Sequence, residues 1–213
     1  MAQQNSSPVE PLPPRTVVNQ CQITPQIWGS TSVPSVQKSN NLRRISPSSE
    51  FAQGQALILM GTLTDQNCVP ITGAMVEIWQ ANAQGGIDYV DNFGNSTNNS
   101  SHKKDPNFAG SGTSITDNLG KYRFITVMPA PINKFRAPHI NIRVKHANFL
   151  PFESVIYFED NFLTSKDTVL QKDVTKNSRH LLIAKPLNQG QGKISNIHLF
   201  NIALEGSNNY THY

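Results

Sequence analysis

Apolar residues recur at every second position in a series of short segments, and this period of two decides what the chain can fold into. Successive side chains on a strand point to opposite faces, so alternation buries one face of a sheet and wets the other. Leu57, Leu59 and Leu63 fall on one face of the segment 56–65, and Val76 and Ile78 on one face of the next. Tyr122, Phe124 and Thr126 oppose Ile125 and Val127, while Ile140, Ile142 and Val144 share the face opposite His139. The stretches 155–158 and 197–204 add further strands, and Gly, Pro and Asn turns separate them. Short strands spaced by such turns predict an all-β, antiparallel β-sandwich. One stretch, from about Asp167 to Lys176, reads as helix.

At 213 residues the chain is long enough to bury one sizeable core, and a single sandwich domain over 47–213 accounts for it. Residues 1–46 read as an arm and lead-in. The first fifteen are polar and proline-rich and bury too little apolar surface to fold alone. Such a stretch reads as an arm or linker, or as a disordered tail. The segment 91–104 is an Asn- and Ser-rich loop.

A net charge of +4 and a pI near 9.1 are mildly basic, but the lysines and arginines are scattered apart from Arg43-Arg44 and Lys103-Lys104. No stripe suits a phosphate backbone, so nucleic acid is not an expected partner. No apolar run reads as a signal peptide or a membrane span, which favours a cytoplasmic protein. A proline-rich polar start is also what removal of a signal sequence leaves, so a periplasmic or cell-envelope location stays open. Cys21 and Cys68 are the only cysteines. They are reduced thiols in a cytosol, or a disulfide if the protein is exported.

The residues with chemical content are Arg136-Ala137-Pro138-His139-Ile140-Asn141. His139 and Asn141 project side by side from one face of a strand. A His-x-His pair there would offer a metal two imidazoles, whereas His-x-Asn offers one imidazole and an amide, a poor ligand.

Several motifs occur in one order: Gly61-Thr-Leu-Thr-Asp65, Val76-Glu-Ile-Trp-Gln-Ala-Asn-Ala83, Asp105-Pro-Asn-Phe-Ala-Gly110, Thr116-Asp-Asn-Leu-Gly-Lys-Tyr-Arg-Phe124 and Tyr157-Phe-Glu-Asp160. Leu199-Phe-Asn-Ile-Ala-Leu-Glu-Gly206 resembles a last strand. Over about 47–206 this string resembles the intradiol ring-cleavage dioxygenases, the protocatechuate 3,4-dioxygenase group. The resemblance implies a site in which active members hold Fe(III) with two tyrosinates and two histidines. Carried over motif by motif, those positions fall on Ile87, Ile132, His139 and Asn141. One ligand of four remains, so no iron cofactor is expected. Tyr89 lies two residues beyond Ile87 and could supply a displaced phenol, although Ile132 and Asn141 would still lack donors. His146 lies five residues along the strand from Asn141 and so faces the other side, and His102, His180, His198 and His212 read as surface residues. Arg136 sits where active members place an arginine that steadies developing charge on the substrate; a surface or interface salt bridge is the other reading. The segment Thr24-Pro-Gln-Ile-Trp-Gly29 faintly echoes a pocket-lining segment of the family.

Within the family, hetero-oligomeric protocatechuate enzymes pair an iron-bearing chain with a metal-free alpha-type chain. Ala137-Pro-His-Ile-Asn-Ile142 resembles that metal-free chain. The expectation is a non-catalytic homologue that serves as a structural or partner subunit in a homo- or hetero-oligomer. The alternatives are an active iron(III) catechol or protocatechuate dioxygenase with displaced ligands, and a small aromatic-acid binder that uses the pocket.

Overall fold

Among the described residues, the alternation seen in the sequence becomes nine strands. The structure, a computed structural model, describes residues 20–28, 36–45, 50–87, 104–159, 161–189 and 192–207. The strands are β1 (Ala56–Asp65), β2 (Met75–Gln80), β3 (Ser111–Ile115), β4 (Lys121–Val127), β5 (Ile140–His146), β6 (Phe149–Phe158), β7 (Ile183–Gln189), β8 (Gly192–Leu199) and β9 (Ile202–Leu204). One short helix, α1 (Thr168–Asp173), lies between β6 and β7, flanked by 3-10 turns at Thr164–Lys166 and Lys176–Leu182. No helix among the described residues is long and apolar enough to cross a membrane.

The strands pair in the order β3-β2-β5-β6-β7-β8-β1-β4, with β9 beside the end of β1. Two four-stranded halves, β3-β2-β5-β6 and β7-β8-β1-β4, share one core. The alternation sets their register: Leu57, Leu59 and Leu63 of one half and Val76, Ile78, Ile140 and Ile142 of the other are all fully buried. Within the first half every pairing is antiparallel. Three pairings depart from the antiparallel expectation: β6 with β7, β1 with β8, and β1 with β9 are parallel. Parallel neighbours need a crossover between them. For β6 and β7 the excursion through α1 supplies it; β1 is instead met by strands from the far end of the chain. Where β1 passes the end of β8 the backbones almost touch. A Cβ at Gly61 would stand 1.7 Å from the Phe200 carbonyl oxygen, so only glycine fits there.

The stretch expected to be lead-in is built into the domain where it is described. Ser39 O accepts the Thr113 N–H of edge strand β3 at 3.0 Å, and Asn40 O accepts the Ile125 N–H of edge strand β4 at 2.9 Å. This segment covers both otherwise unpaired strand edges. Its Leu42 is fully buried in the core. A second stretch, 20–28, straps the opposite side: Thr24 N–H donates to Ala203 O and Ile27 N–H to Glu153 O. Residues 1–15 and the polar loop 91–103 lie outside the described residues.

Of the two readings of Cys21 and Cys68, the structure holds the disulfide, with Cα atoms 5.3 Å apart. The Cys21 N–H bond to Gln66 O brings the strap against the turn after β1, a proximity that 47 residues of sequence separation hide. The helix expected over 167–176 is corrected to the six residues of α1. It stops because Val174 turns extended and its side chain enters the core.

Candidate functional site

Asp167 is fully buried, and that burial makes its hydrogen bonds consequential. Its side chain accepts from Val169 N and Leu170 N and so caps α1. It also accepts from Tyr157 OH at 2.8 Å, Ala137 N at 2.8 Å and Arg136 Nε at 3.0 Å. Burial alone would raise its pKa. The Leu170 N–H, the Arg136 charge, the Ala137 N–H and the Tyr157 hydroxyl outweigh that and hold the carboxyl below its usual range. One carboxylate thereby ties α1, β6 and the approach to β5 together.

That tie places His139. Its Nδ1 lies 2.7 Å from Ala137 O. A carbonyl only accepts, so Nδ1 carries the hydrogen and Nε2 keeps the lone pair. His139 is buried, and burial together with the neighbouring Arg136 charge lowers its pKa to about 4. The ring is therefore neutral near pH 7. Tyr157 lies alongside, with ring centroids 6.2 Å apart. Burial, then the Asp167 charge, pushes its phenol well above the usual range, so it stays protonated and donates to Asp167.

Ile87, Ile132, Arg136, His139 and Asn141 all line one cavity of about 230 Å³. They come from separate elements: the turn after β2, the loop before β5, and β5 itself. Ile27 and Trp28 of the strap form another part of the wall. The Asn141 amide donates to Trp79 O at 3.2 Å across the β2–β5 pairing. Next along β5, Arg143 is flanked by its two cross-strand partners. Glu77 lies 2.6 Å from Nε and Glu153 3.7 Å from Nη1, and Glu153 also lines the cavity.

The five positions singled out in the sequence thus meet at one place, apart from Tyr89, which lies outside the described residues. His146 sits at the far end of β5 against Phe149, away from the cavity. His180 is exposed, but His198 corrects the expectation of a surface residue. It is buried with its ring edge-on to Phe158, on the covered face of β8, while Leu199 on the opposite face is exposed. His102 and His212 lie outside the described residues. Sequence reading missed Asp167 and Tyr157, which carry no spacing signal because their partners are distant in sequence. Arg136 is an ion pair, here with a buried partner rather than at the surface.

Chemically, the cavity offers one neutral imidazole nitrogen, one guanidinium and one carboxamide, with Ser154 and the acidic Glu153 and Asp173 also in its wall beside Ile87, Ile132, Val155 and Val169. Among the described residues no three His, Cys, Asp or Glu side chains group closely enough to hold a metal ion.

The sequence matches the family described as "Dioxygenase" over residues 32–206. It is 31% identical over 157 residues to a "Putative dioxygenase" of Rickettsia bellii, covering 70% of this chain and 72% of that protein. It is 30% identical over 126 residues to the protocatechuate 3,4-dioxygenase beta chain of Burkholderia cepacia, covering 55% of this chain and 51% of that one. Among solved structures, the intradiol ring-cleavage dioxygenase from Tetranychus urticae superposes with a TM-score of 0.63 at 22% identity. That alignment covers 89% of this chain and 98% of the other.

Proposed function

The chain belongs to the intradiol ring-cleavage dioxygenase family, and from that premise we propose that it is a non-catalytic member, acting as a structural or partner subunit in a larger assembly. The observation that carries this reading is the donor set of the cavity. Ile87, Ile132, His139 and Asn141 meet there, and between them they offer one imidazole lone pair and one neutral amide oxygen, with no anionic donor. Ferric iron is a hard cation that favours anionic oxygen donors. Two isoleucines bring no donor, and Asn141, whose amide nitrogen donates to the Trp79 carbonyl, brings at most a neutral amide oxygen. Tyr157 is the phenol beside His139, but its proton is committed to Asp167. A ferric ion does not fit these residues, and no step of ring cleavage is assigned to them.

The partner role draws on the Ala137–Ile142 segment, which resembles the metal-free alpha-type chain. The relative named as a beta chain also points to assembly of more than one chain in that protein. On this reading the chain forms a homo- or hetero-oligomer. Its contribution is a stable sandwich and an interface.

Oxygen uptake with catechol and with protocatechuate tests the reading, alongside a graft of Ile87→Tyr, Ile132→Tyr and Asn141→His. The parent chain should consume no oxygen above a protein-free control, and the graft should take up iron and colour. Turnover by the parent chain would overturn the reading.

A further inference from the structure

On the far side of α1 from that cavity lies a second hollow, of about 740 Å³, and the two share no lining residue. Helical spacing divides α1 between them: Val169 and Asp173 line the cavity, whereas Leu170 and Gln171 line the hollow. Phe158, Leu170 and Ile183 make the floor apolar, and Phe162 joins them with 77% of its surface exposed. A fixed turn presents that ring: Leu163 N–H donates to Asn161 Oδ1 and Thr164 N–H to Asn161 O, each at 3.0 Å. A large aromatic held out in water by its own turn is the mark of a contact surface. Two cations line the same hollow, Arg179 and Lys185, against one carboxylate, Glu159. Among the described residues none of the three is in an ion pair. Arg179 is tethered to the end of α1. Its Nε donates to Val174 O at 3.1 Å, Nη1 to Gln171 Oε1 at 2.6 Å and Nη2 to Gln171 O at 3.0 Å. All three acceptors are neutral, and one N–H on each Nη is left for an acceptor from outside. Because these bonds already fix the guanidinium, a carboxylate that meets it costs little further ordering. Lys185, exposed on β7 two residues from Ile183, shares that residue's face.

We propose that this hollow is the docking site for an acidic peptide segment of a partner protein, anchored by an apolar side chain. The anchor packs against Phe162 and Ile183, and acidic residues beside it meet Arg179 and Lys185. Charge complementarity selects this occupant: two cations outweigh one carboxylate in the lining, and the whole chain carries +4. Charge-assisted bonds from a preset guanidinium are the recurrent means by which acidic motifs are held. The volume falls within the roughly 300–1,000 Å³ of specific ligand pockets, which is room for an anchoring side chain and its neighbours. The inference rests on the reading above that the chain serves a partner, and it names the chemistry of that partner's contact.

Fluorescence anisotropy of the full chain with a labelled peptide, Glu-Glu-Leu-Phe-Glu-Glu, tests it. The controls are Lys-Lys-Leu-Phe-Lys-Lys and Glu-Glu-Ala-Ala-Glu-Glu. The first peptide should bind at least about tenfold more tightly than either control, and less tightly as salt is raised. Lys185→Glu and Phe162→Ala, both at exposed positions, should each weaken it at least about fivefold without moving the urea midpoint. Equal binding of the charge-reversed peptide, binding of none of the three, or full affinity in both variants overturns the site. A dimer in sedimentation that Phe162→Ala abolishes, with no preference among the peptides, overturns it too and assigns the hollow to a second copy of this chain. Oxygen uptake with catechol on the same samples keeps the two readings apart. Turnover defeats the non-catalytic reading and leaves the peptide result standing, whereas a chain without turnover and blind to the peptide defeats this surface alone.

Discussion

Replacing Asp167 by Asn removes one charge and little volume, and its cost follows from the five bonds the carboxylate accepts. The amide oxygen can keep the bonds at Oδ1: the Val169 and Leu170 N–H groups and the Tyr157 hydroxyl, at 3.0, 3.1 and 2.8 Å. The amide nitrogen then stands where Oδ2 stood, facing the Arg136 Nε and Ala137 N–H donors that now lie 3.0 and 2.8 Å away. Donor meets donor, and a largely buried guanidinium loses its counter-charge. Breaking a buried ion pair from one side costs about 3–5 kcal/mol. The Arg136 side chain keeps 23% of its exposure, which lets solvent recover part of this, so about 3 kcal/mol is expected. With a urea slope of about 2 kcal/mol/M, the unfolding midpoint should fall by about 1.5 M. The pH dependence has a definite sign. A carboxyl held below its unfolded pKa of about 3.9 stabilises the fold above that pH, and the benefit disappears as pH falls through the native value. Asp167→Asn should therefore flatten the acid limb of the stability curve. Combined with Arg136→Gln, the losses should fall short of the sum by about 1 kcal/mol or more. A loss under about 1 kcal/mol in the single variant, with an unchanged acid limb, would refute the tie between α1 and the approach to β5.

Three further outcomes follow from the packing. Reduction of Cys21–Cys68, which closes a span of 47 residues, should cost about 4 kcal/mol of stability on the chain-entropy account, read as a lower unfolding midpoint in reductant. His139, with its pKa lowered to about 4, binds a proton in the unfolded chain before it does in the native one. Stability should therefore decline by about 3 kcal/mol as pH falls from about 6.5 to 4, and His139→Gln should remove that decline in a pH series of urea titrations. Leu42→Ala, in the segment that joins β3 to β4, should cost about 2–5 kcal/mol, whereas an unattached lead-in would cost nothing measurable in the same titration.

Strands with strong alternation were legible. Leu57, Leu59 and Leu63, and likewise Ile140, Ile142 and Val144, are buried on the faces their spacing assigns. β3 was not legible, because Ser111-Gly-Thr-Ser-Ile115 is small and polar; its place comes from pairing with β2 and from the lead-in along its other edge. β7 carries a proline and polar residues and is set by its neighbours β6 and β8. Val127 defied the pattern, since the end of β4 is covered on both faces. At the site, His139, Asn141 and Arg136 sit within one short segment and could be read together. Asp167 could not, because its partners lie at Ala137, Arg136 and Tyr157, distances that only the fold closes. The strap residues Ile27 and Trp28 left only a faint trace in Thr24–Gly29, yet they form part of the cavity wall.

Iron content with a visible spectrum, on protein produced with ample iron, tests the central claim most directly. A cavity offering one imidazole between two isoleucines and an engaged amide should yield a folded, colourless protein with far less than one iron per chain. Near-stoichiometric iron with a broad visible band from tyrosinate-to-iron charge transfer would contradict the account and turn attention to Tyr89.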